Sequence, residues 1–501
     1  MNKYLAWWLV LACAVAGAQS APLVVVPLQW DASAVMSRTR VTLQVVANPP
    51  LRRGSPIHDP AWQALAKLGA DDPRLALWYP YPRMGVAELL PPTKSRAFWD
   101  FSAMDPLMED FFTATAGHPT VLSIATAPQW MFRGRRPNVP ANPDAAVWNY
   151  EQGTQLRDPT VRELADYYER VARWYIEGEF RDERGVRHVS GHHYAPAYWE
   201  VFNEPEYEHN FTPAEYTRIY DAITKRLHVV DPRLKFTGMS LAVPDKGDAF
   251  FEYFLDHANH ARGARLDAIS YHFYALGKDG ETEEQQATSF FAQADHFLDT
   301  VTRVQAIRAR LSPATETQIN EAGCIAADDQ GNGPEKMSGK NIPSSYWSLC
   351  GAMFAYLAGR LSEQGIEVVG ASQLLGYPTQ YPSVSLLDWT TGLPNARDRV
   401  LQLLIDNLKP GDKLVGTPVN TAQLYAQPIR KSDGRRMVLL VNKTSSDVEA
   451  RLEHDQSDER KVQWREVHED VTSGTSVPAF QSLLTDHITL HGFAVMVVYL
   501  D

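Results

Sequence analysis

The stretch Tyr198-Trp199-Glu200-Val201-Phe202-Asn203-Glu204-Pro205-Glu206 reads as a short, mostly apolar strand that runs out into a carboxylate followed by proline. Further on, Thr317-Gln318-Ile319-Asn320-Glu321-Ala322-Gly323 repeats the arrangement, with a second Asn-Glu pair closing a second β-like run. Burying an unpaired charge costs several kcal/mol as an order of magnitude, so a carboxylate at the end of each strand points to chemistry more than to packing.

Outward from these two runs, short β-like segments alternate with helical patterns. Strands are expected from Leu43 to Ala47, Leu75 to Tyr79, Thr120 to Thr126, Tyr198 to Phe202, Leu234 to Ser240, Leu266 to Phe273, Thr315 to Asn320 and Val368 to Leu374. Helices are expected from Val161 to Glu177, Ala214 to Val230, Gln285 to Leu311 and Tyr346 to Gln364, the second opened by the capping pattern Thr212-Pro213-Ala214-Glu215. Eight β runs, most followed by a helical candidate, specify an α/β fold, a (β/α)8 barrel over residues 49–408. The spacing of Glu204 and Glu321 fits the ends of strands four and seven of that barrel, on the face where such barrels carry their sites.

After Lys409-Pro410-Gly411-Asp412 the pattern changes to alternating runs, Met437 to Val441, Val448 to Leu452 and Ala494 to Tyr499. These read as a small antiparallel β-sandwich over 409–501, packed closely on the barrel. Residues 21–48 supply N-terminal strands that join the sandwich and the first barrel strand, with Leu23 to Leu28 as an edge.

The remaining composition removes several classes of function. The chain has 501 residues, and its 48 Lys and Arg against 60 Asp and Glu give a formal net charge of -12. With no basic run beyond Arg133, Arg135 and Arg136, no nucleic-acid partner is expected. No Gly-x-Gly-x-x-Gly or Walker loop follows a strand, so no nucleotide cofactor is expected either. The 13 Trp, 21 Tyr and 19 Phe exceed what a core needs and suit planar ligands such as sugars.

The basic start Met1-Asn2-Lys3, the apolar run Leu5 to Val15 and the small residues Ala16-Gly17-Ala18 mark residues 1–20 as a signal peptide. The product is then secreted or periplasmic, with a lipoprotein anchored through Cys13 as the weaker reading. No later stretch reaches membrane-spanning length, so no stable membrane insertion is expected. Of the three cysteines, Cys324 and Cys350 remain after export; two buried free thiols are the favoured reading and a disulfide the alternative. Nothing here sets an oligomeric state.

Two carboxylates about 5 to 5.5 Å apart cut a glycosidic bond with retention: one attacks the anomeric carbon, and the other protonates the leaving oxygen and later activates water. Glu204 then has to be held protonated and Glu321 ionised. In Ser270-Tyr271-His272-Phe273-Tyr274, His272 and Tyr274 alternate to one side, Tyr274 as a donor to Glu321 and His272 to orient Glu204 or relay its proton. Asn203 is placed to bond a sugar hydroxyl. Trp130, in Ala127-Pro128-Gln129-Trp130, is a candidate sugar platform or else a core anchor, and Trp389, in the long segment after strand eight, is with Tyr377, Tyr381 and Asp388 a candidate for lining a subsite or else serves packing. His58 and Asp59 are weaker candidates. His188, His192 and His193 lack a zinc-site spacing and read as a solvated loop, so no metal is expected.

The run Trp199 to Glu206, the strand Leu266-Asp267-Ala268-Ile269-Ser270-Tyr271-His272 and the flanking sandwich together resemble glycoside hydrolase family 39, the family of β-xylosidases and α-L-iduronidases. That family lies within the clan of retaining (β/α)8-barrel glycoside hydrolases. The resemblance implies Glu204 as acid/base, Glu321 as nucleophile, a carbohydrate substrate and no cofactor. Two departures bear on the sugar. The family's Gly-Gly-Pro run at strand five is here Thr237-Gly238-Met239-Ser240, and strand two runs into Trp78-Tyr79-Pro80-Tyr81-Pro82 without the histidine of an iduronidase. The expected activity is exo-cleavage of a xylosidic or related β-linkage of plant or microbial oligo- or polysaccharides. The alternatives are an endo-acting exopolysaccharide hydrolase, with a groove framed by Phe132 to Pro159 and Gly376 to Trp389, and a noncatalytic glycan-binding barrel.

Overall fold

The computed structural model describes residues 23–150, 152–330, 339, 342–378, 380–453, 461–468, 481–484 and 486–500, so the expected signal peptide lies outside the described residues. Eight parallel strands close into a barrel: β1 Arg40–Val46, β2 Arg74–Ala76, β3 Val121–Ser123, β4 Tyr198–Glu200, β5 Lys235–Leu241, β6 Ala268–Leu276, β7 Glu316–Ile325 and β8 Val368–Ala371. Around it run α1 His58–Leu68, α2 Asp105–Ala114, α3 Arg162–Ile176, α4 Pro213–Val230, α5 Asp248–Leu255, α6 Glu283–Leu311, α7 Ser344–Glu363 and α8 Ala396–Asn407, one after each strand. The capping pattern before α4 forms as the sequence predicts, the Thr212 hydroxyl accepting from the Glu215 N–H and the Glu215 carboxylate accepting from the Thr212 N–H. Thr282 and Gln285 start α6 in the same way.

Alternation along the strands sends apolar side chains outward under the helices and leaves the barrel interior polar. Gln44, Arg74, Ser123, Glu200, Thr237 and Gln318 are all buried there. Strand seven departs from the expected end at Asn320, because β7 continues through Glu321 to Ile325. Its register shifts against β8 between Ile319 and Ala322, and the register of β6 against β7 shifts between Ser270 and His272. This irregularity re-aims Glu321 into the mouth, opposite His272. Gly370 on β8 makes room for it, since a Cβ there would lie 2.9 Å from the Asn320 carbonyl oxygen.

The C-terminal strands form two sheets. One is three-stranded, Leu23–Pro27, Val448–Glu453 and His487–Leu490; the other is built chiefly on Leu424–Arg430, Arg436–Asn442, Lys461–Val467 and Val495–Leu500. The N-terminal edge strand pairs parallel to Val448–Glu453 inside an otherwise antiparallel sandwich. One face of the larger sheet is continuous with the barrel core: Tyr425, Met437, Leu439, Val441, Val495 and Val497 share a single buried cluster with α7 and α8. The Tyr425 hydroxyl bonds Glu363 at 3.0 Å and the Tyr499 hydroxyl bonds Asn407 at 2.9 Å across the same seam.

The favoured reading of two free thiols is not what the structure holds: Cys324 of β7 and Cys350 of α7 are joined, with Cα atoms 5.9 Å apart. Both are buried, and the bridge ties the strand carrying Glu321 to the helix that follows it. Closing a loop of this length contributes about 2 to 4 kcal/mol. Thiol titration of the denatured, unreduced protein is expected to find neither Cys324 nor Cys350 free, and a reductant should lower the unfolding midpoint; two titratable thiols at these positions would contradict the pairing.

Candidate active site

Arg74 sits inside the barrel mouth with only 1% of its side chain exposed. Its Nε and Nη2 donate to the two oxygens of Glu200 at 2.9 and 2.7 Å, in the bidentate geometry that suits a guanidinium to a carboxylate. Nη1 donates to Glu321 Oε1 at 2.6 Å, and Nη2 also donates to Asn203 Oδ1 at 2.7 Å. Gln44 Oε1 accepts a further bond from Nη1. Glu200 is completed by Asn320 Nδ2 at 2.6 Å.

Glu321 is therefore held by donors on both oxygens, Arg74 on one and the Tyr274 hydroxyl, at 2.7 Å, on the other. Burial by itself pushes its carboxyl up, but the His272 imidazole, the Arg74 guanidinium and the Tyr274 bond outweigh that cost and leave it below its ordinary value. Tyr274 stays a phenol: burial and the Glu321 charge hold it well above its ordinary value.

Glu204 is presented differently. Phe202 and Glu204 both take left-handed backbone conformations, with φ of 65° and 43°, which cost on the order of 1–3 kcal/mol each for non-glycine residues. The turn is held by the Glu204 N–H to the Ser240 carbonyl at 2.9 Å and by the Tyr207 and Glu208 N–H groups to the Glu204 carbonyl. Glu204 Oε1 meets His272 Nδ1 at 2.8 Å, and His272 Nε2 meets the Ser240 hydroxyl at 2.9 Å. The same Nδ1 is 3.4 Å from Glu321 Oε2, so His272 lies between the two carboxylates. Burial lowers the imidazole's proton affinity, yet Glu321 and Glu204 more than reverse this and raise it above the ordinary histidine value. Ser240, part of the run where the sequence departs from the family pattern, thus anchors the histidine.

Glu204, His272 and Glu321 each offer a donor atom within 4.8 Å of the others. Both Glu321 oxygens are already bonded, and a dication there would face the buried Arg74 charge, so this set fits a proton network. A second such group, Glu466, His468 and His491, lies at the sandwich surface, where His491 Nδ1 is 3.1 Å from Glu466.

The carboxylates open into a cavity of about 560 Å³. Asn203, Glu204, His272, Tyr274 and Glu321, all named from the sequence, line it, and so does Tyr381. Trp130 does not. It is buried outside the cavity, its indole N–H donating to the Glu88 carbonyl at 2.8 Å and its ring covered by Arg157 at 4.3 Å. Trp389 is also absent from the lining and packs half-buried against the core. Asp388 is spent on the turn at Thr390 and Thr391, and Tyr377 bonds Tyr81. His58 pairs with Asp59 and Asp110, while His188 pairs with Asp182.

Sequence reasoning missed Arg74, Gln44, Glu200, Trp78 and Glu208. Asn203 Nδ2 and the Trp78 indole each donate to Glu208 Oε1 at 2.8 Å, and Gln152 donates to its other oxygen at 3.0 Å. Burial and the nearby Glu204 charge push Glu208 well above the ordinary carboxylate value against these three bonds. The available signal was an Arg and a Glu lying inside short apolar strands, where only a partner across the barrel makes burial tolerable.

A parallel eight-stranded barrel with two carboxylates converging at its mouth is an arrangement that barrel glycosidases use. Within that class, residues 146–325 match the family model "Glycosyl hydrolases family 39", a span that carries both Glu204 and Glu321. Over that span the chain is similar to glycoside hydrolase family 39. No curated protein matches the sequence. Among solved structures, it resembles a family 39 β-xylosidase from Caulobacter crescentus at 15% identity and TM-score 0.57, covering 96% of this chain and 100% of that one. It also resembles a family 51 arabinofuranosidase from Xanthomonas axonopodis pv. citri at 10% identity and TM-score 0.63, covering 95% and 98%. A family 30 endoxylanase from Clostridium papyrosolvens matches at 14% identity and TM-score 0.54, covering 95% and 99%. These three share the fold.

Because Arg74 satisfies four groups at once, Arg74→Met leaves Glu200 buried without its partner. Breaking such a pair from one side costs about 3 to 5 kcal/mol, and Arg74→Lys should recover little of it because an ammonium lacks the planar fork. Thermal and urea unfolding of the two variants is the check; a Lys variant as stable as the parent would show that the fork geometry is not needed.

Proposed function

We propose that the protein is an exported, exo-acting glycoside hydrolase that cleaves a xylosidic or related β-linkage with retention, Glu321 as nucleophile and Glu204 as acid/base. One observation carries the reading: the two carboxylates bring an oxygen each within 4.8 Å of one another, in keeping with the short separation of carboxyls that attack directly rather than the wider one that leaves room for an attacking water. In the first step Glu321 forms a bond to the anomeric carbon while the glycosidic C–O bond breaks, and the Glu204 proton goes to the leaving oxygen. In the second, water attacks the same carbon, Glu204 takes the water's proton, and the bond to Glu321 breaks.

The neighbours fit these roles. Arg74 and Tyr274 keep Glu321 ionised for attack, and His272, with its raised proton affinity, stabilises the Glu204 carboxylate that remains after proton transfer. Exo action is supported by the walls. Trp148, from the excursion after β3, packs on Trp78 at 5.4 Å and on Tyr381 at 6.2 Å, so the segments that would frame a groove instead meet and close one side. Export rests on the N-terminal pattern of residues 1–20, and the described residues contain no helix long and apolar enough to cross a membrane.

Proton NMR of the first-formed product from an aryl glycoside should show the anomeric configuration of the substrate. An initial product of inverted configuration would remove the nucleophile role from Glu321. Glu204→Gln should lose most turnover, about 10²-fold or more, on glycosides with poor leaving groups while keeping far more on activated aryl glycosides. Equal loss on both substrate types would place the general acid elsewhere.

A further inference from the structure

The two walls of the cavity differ in chemistry. One is polar and aromatic, with Trp78, Tyr381, Asn203, Glu208 and Gln373 supplying the groups a sugar ring needs. The other is built by the β5–α5 loop, the ends of β6 and β7 and the inner face of α6, and it presents Val243, Pro244, Leu276, Phe297 and Ile325. Phe297 stacks on Phe273 at 4.7 Å, which fixes this wall to β6.

Two further observations set this wall apart. On this wall Val243 is 40% exposed and Leu276 43%, so apolar surface is open to the cavity. The polar groups on the wall, in turn, are directed at one another. Gln293 uses its carbonyl on the Leu276 N–H at 2.9 Å and its amide on the Leu276 carbonyl at 3.1 Å. Asp245 is held by the Thr300 hydroxyl and by His296 at 3.2 Å. Gln293 is thus occupied, and Asp245 and His296, with side chains 44% and 69% exposed, are paired with each other, so the remaining surface of this wall is chiefly that of Val243, Pro244, Leu276, Phe297 and Ile325.

A second sugar seated here would leave hydroxyls desolvated without partners, at a cost an apolar group does not meet. The β5–α5 loop adjoins Glu204, whose N–H donates to the Ser240 carbonyl, and Leu276 ends the strand that carries His272, so this wall stands beside the group that delivers the proton to the departing oxygen. Resting on the catalytic reading above, we infer that this wall is an aglycone site for an apolar group, and that the substrate is a glycoside of an alkyl or aryl alcohol rather than a link in a chain of sugars.

Methyl, butyl and octyl β-D-xylopyranosides and β-D-glucopyranosides test this, because their alcohols leave with similar acidity and differ only in apolar length. On whichever sugar is hydrolysed, kcat/KM should rise at least tenfold from methyl to octyl and exceed that of the matching disaccharide. Leu276→Gln, an exposed position whose change leaves the fold intact, should narrow the octyl-to-methyl ratio several-fold. Calorimetric titration with octyl and methyl 1-thio-β-glycosides of the same two sugars, which resist hydrolysis, reads the same preference as a tenfold or greater difference in Kd without needing turnover. Hydrolysis with a flat alkyl series, or equal Kd values for the thioglycosides, would overturn the aglycone site while leaving the catalytic reading standing. Tighter octyl binding with no hydrolysis of any glycoside would do the reverse.

Discussion

The mouth of this barrel depends on one buried guanidinium. Arg74 projects from β2 and uses its planar fork to hold Glu200 of β4, Glu321 of β7, Asn203 beyond β4 and Gln44 of β1, so strands on opposite sides of the barrel are fixed to a common centre. Such a network adds little net stability over a well-packed apolar core, because each charge was taken out of water. What it contributes is position: a carboxylate and an amide are held where only one arrangement satisfies every donor. The interior polarity of the barrel follows, since Gln44, Ser123 and Ser240 complete the same centre.

Around that centre the two glutamates acquire different characters from different supports. Glu321 lies on a strand whose irregular register turns it inward, and two donors favour its charged form. Glu204 stands on a strained left-handed turn beyond β4, with one oxygen on His272 and the other left toward the cavity. Strain stored at that turn is held by backbone hydrogen bonds to β5, so the placement of Glu204 depends on the neighbouring strand as much as on its own. The same strand five loop continues into Val243 and Pro244, which links the position of Glu204 to the shape of the cavity's apolar wall.

Much of the architecture was legible because it is local. The periodicity that marks each strand and helix acts over a few residues, and the Thr212 cap acts over three. The pair of Asn-Glu strand ends was legible for a related reason: a carboxylate in an apolar run contradicts local packing and so announces itself. His272 and Tyr274 followed from period-two alternation along one strand, and both now touch one of the two glutamates. Trp130 shows the limit of that reasoning. The sequence placed it near the third strand's end, but the following short helix turns the indole outward onto Glu88 and Arg157.

By itself, then, the sequence determined the order of β and α units, the two glutamates and the residues on their strand faces, because propensity and alternation are properties of neighbours along the chain. Only the tertiary structure decided that Arg74 meets Glu200 across 126 residues and Glu321 across 247, that Cys324 closes on Cys350, and that Trp78, Trp148 and Tyr381 share one wall. These contacts cross the closed barrel or join its loops, and they depend on register, bulges and curvature that no local pattern encodes. A period of two tells which way a side chain points; the distance to what it points at is set by how the sheet closes.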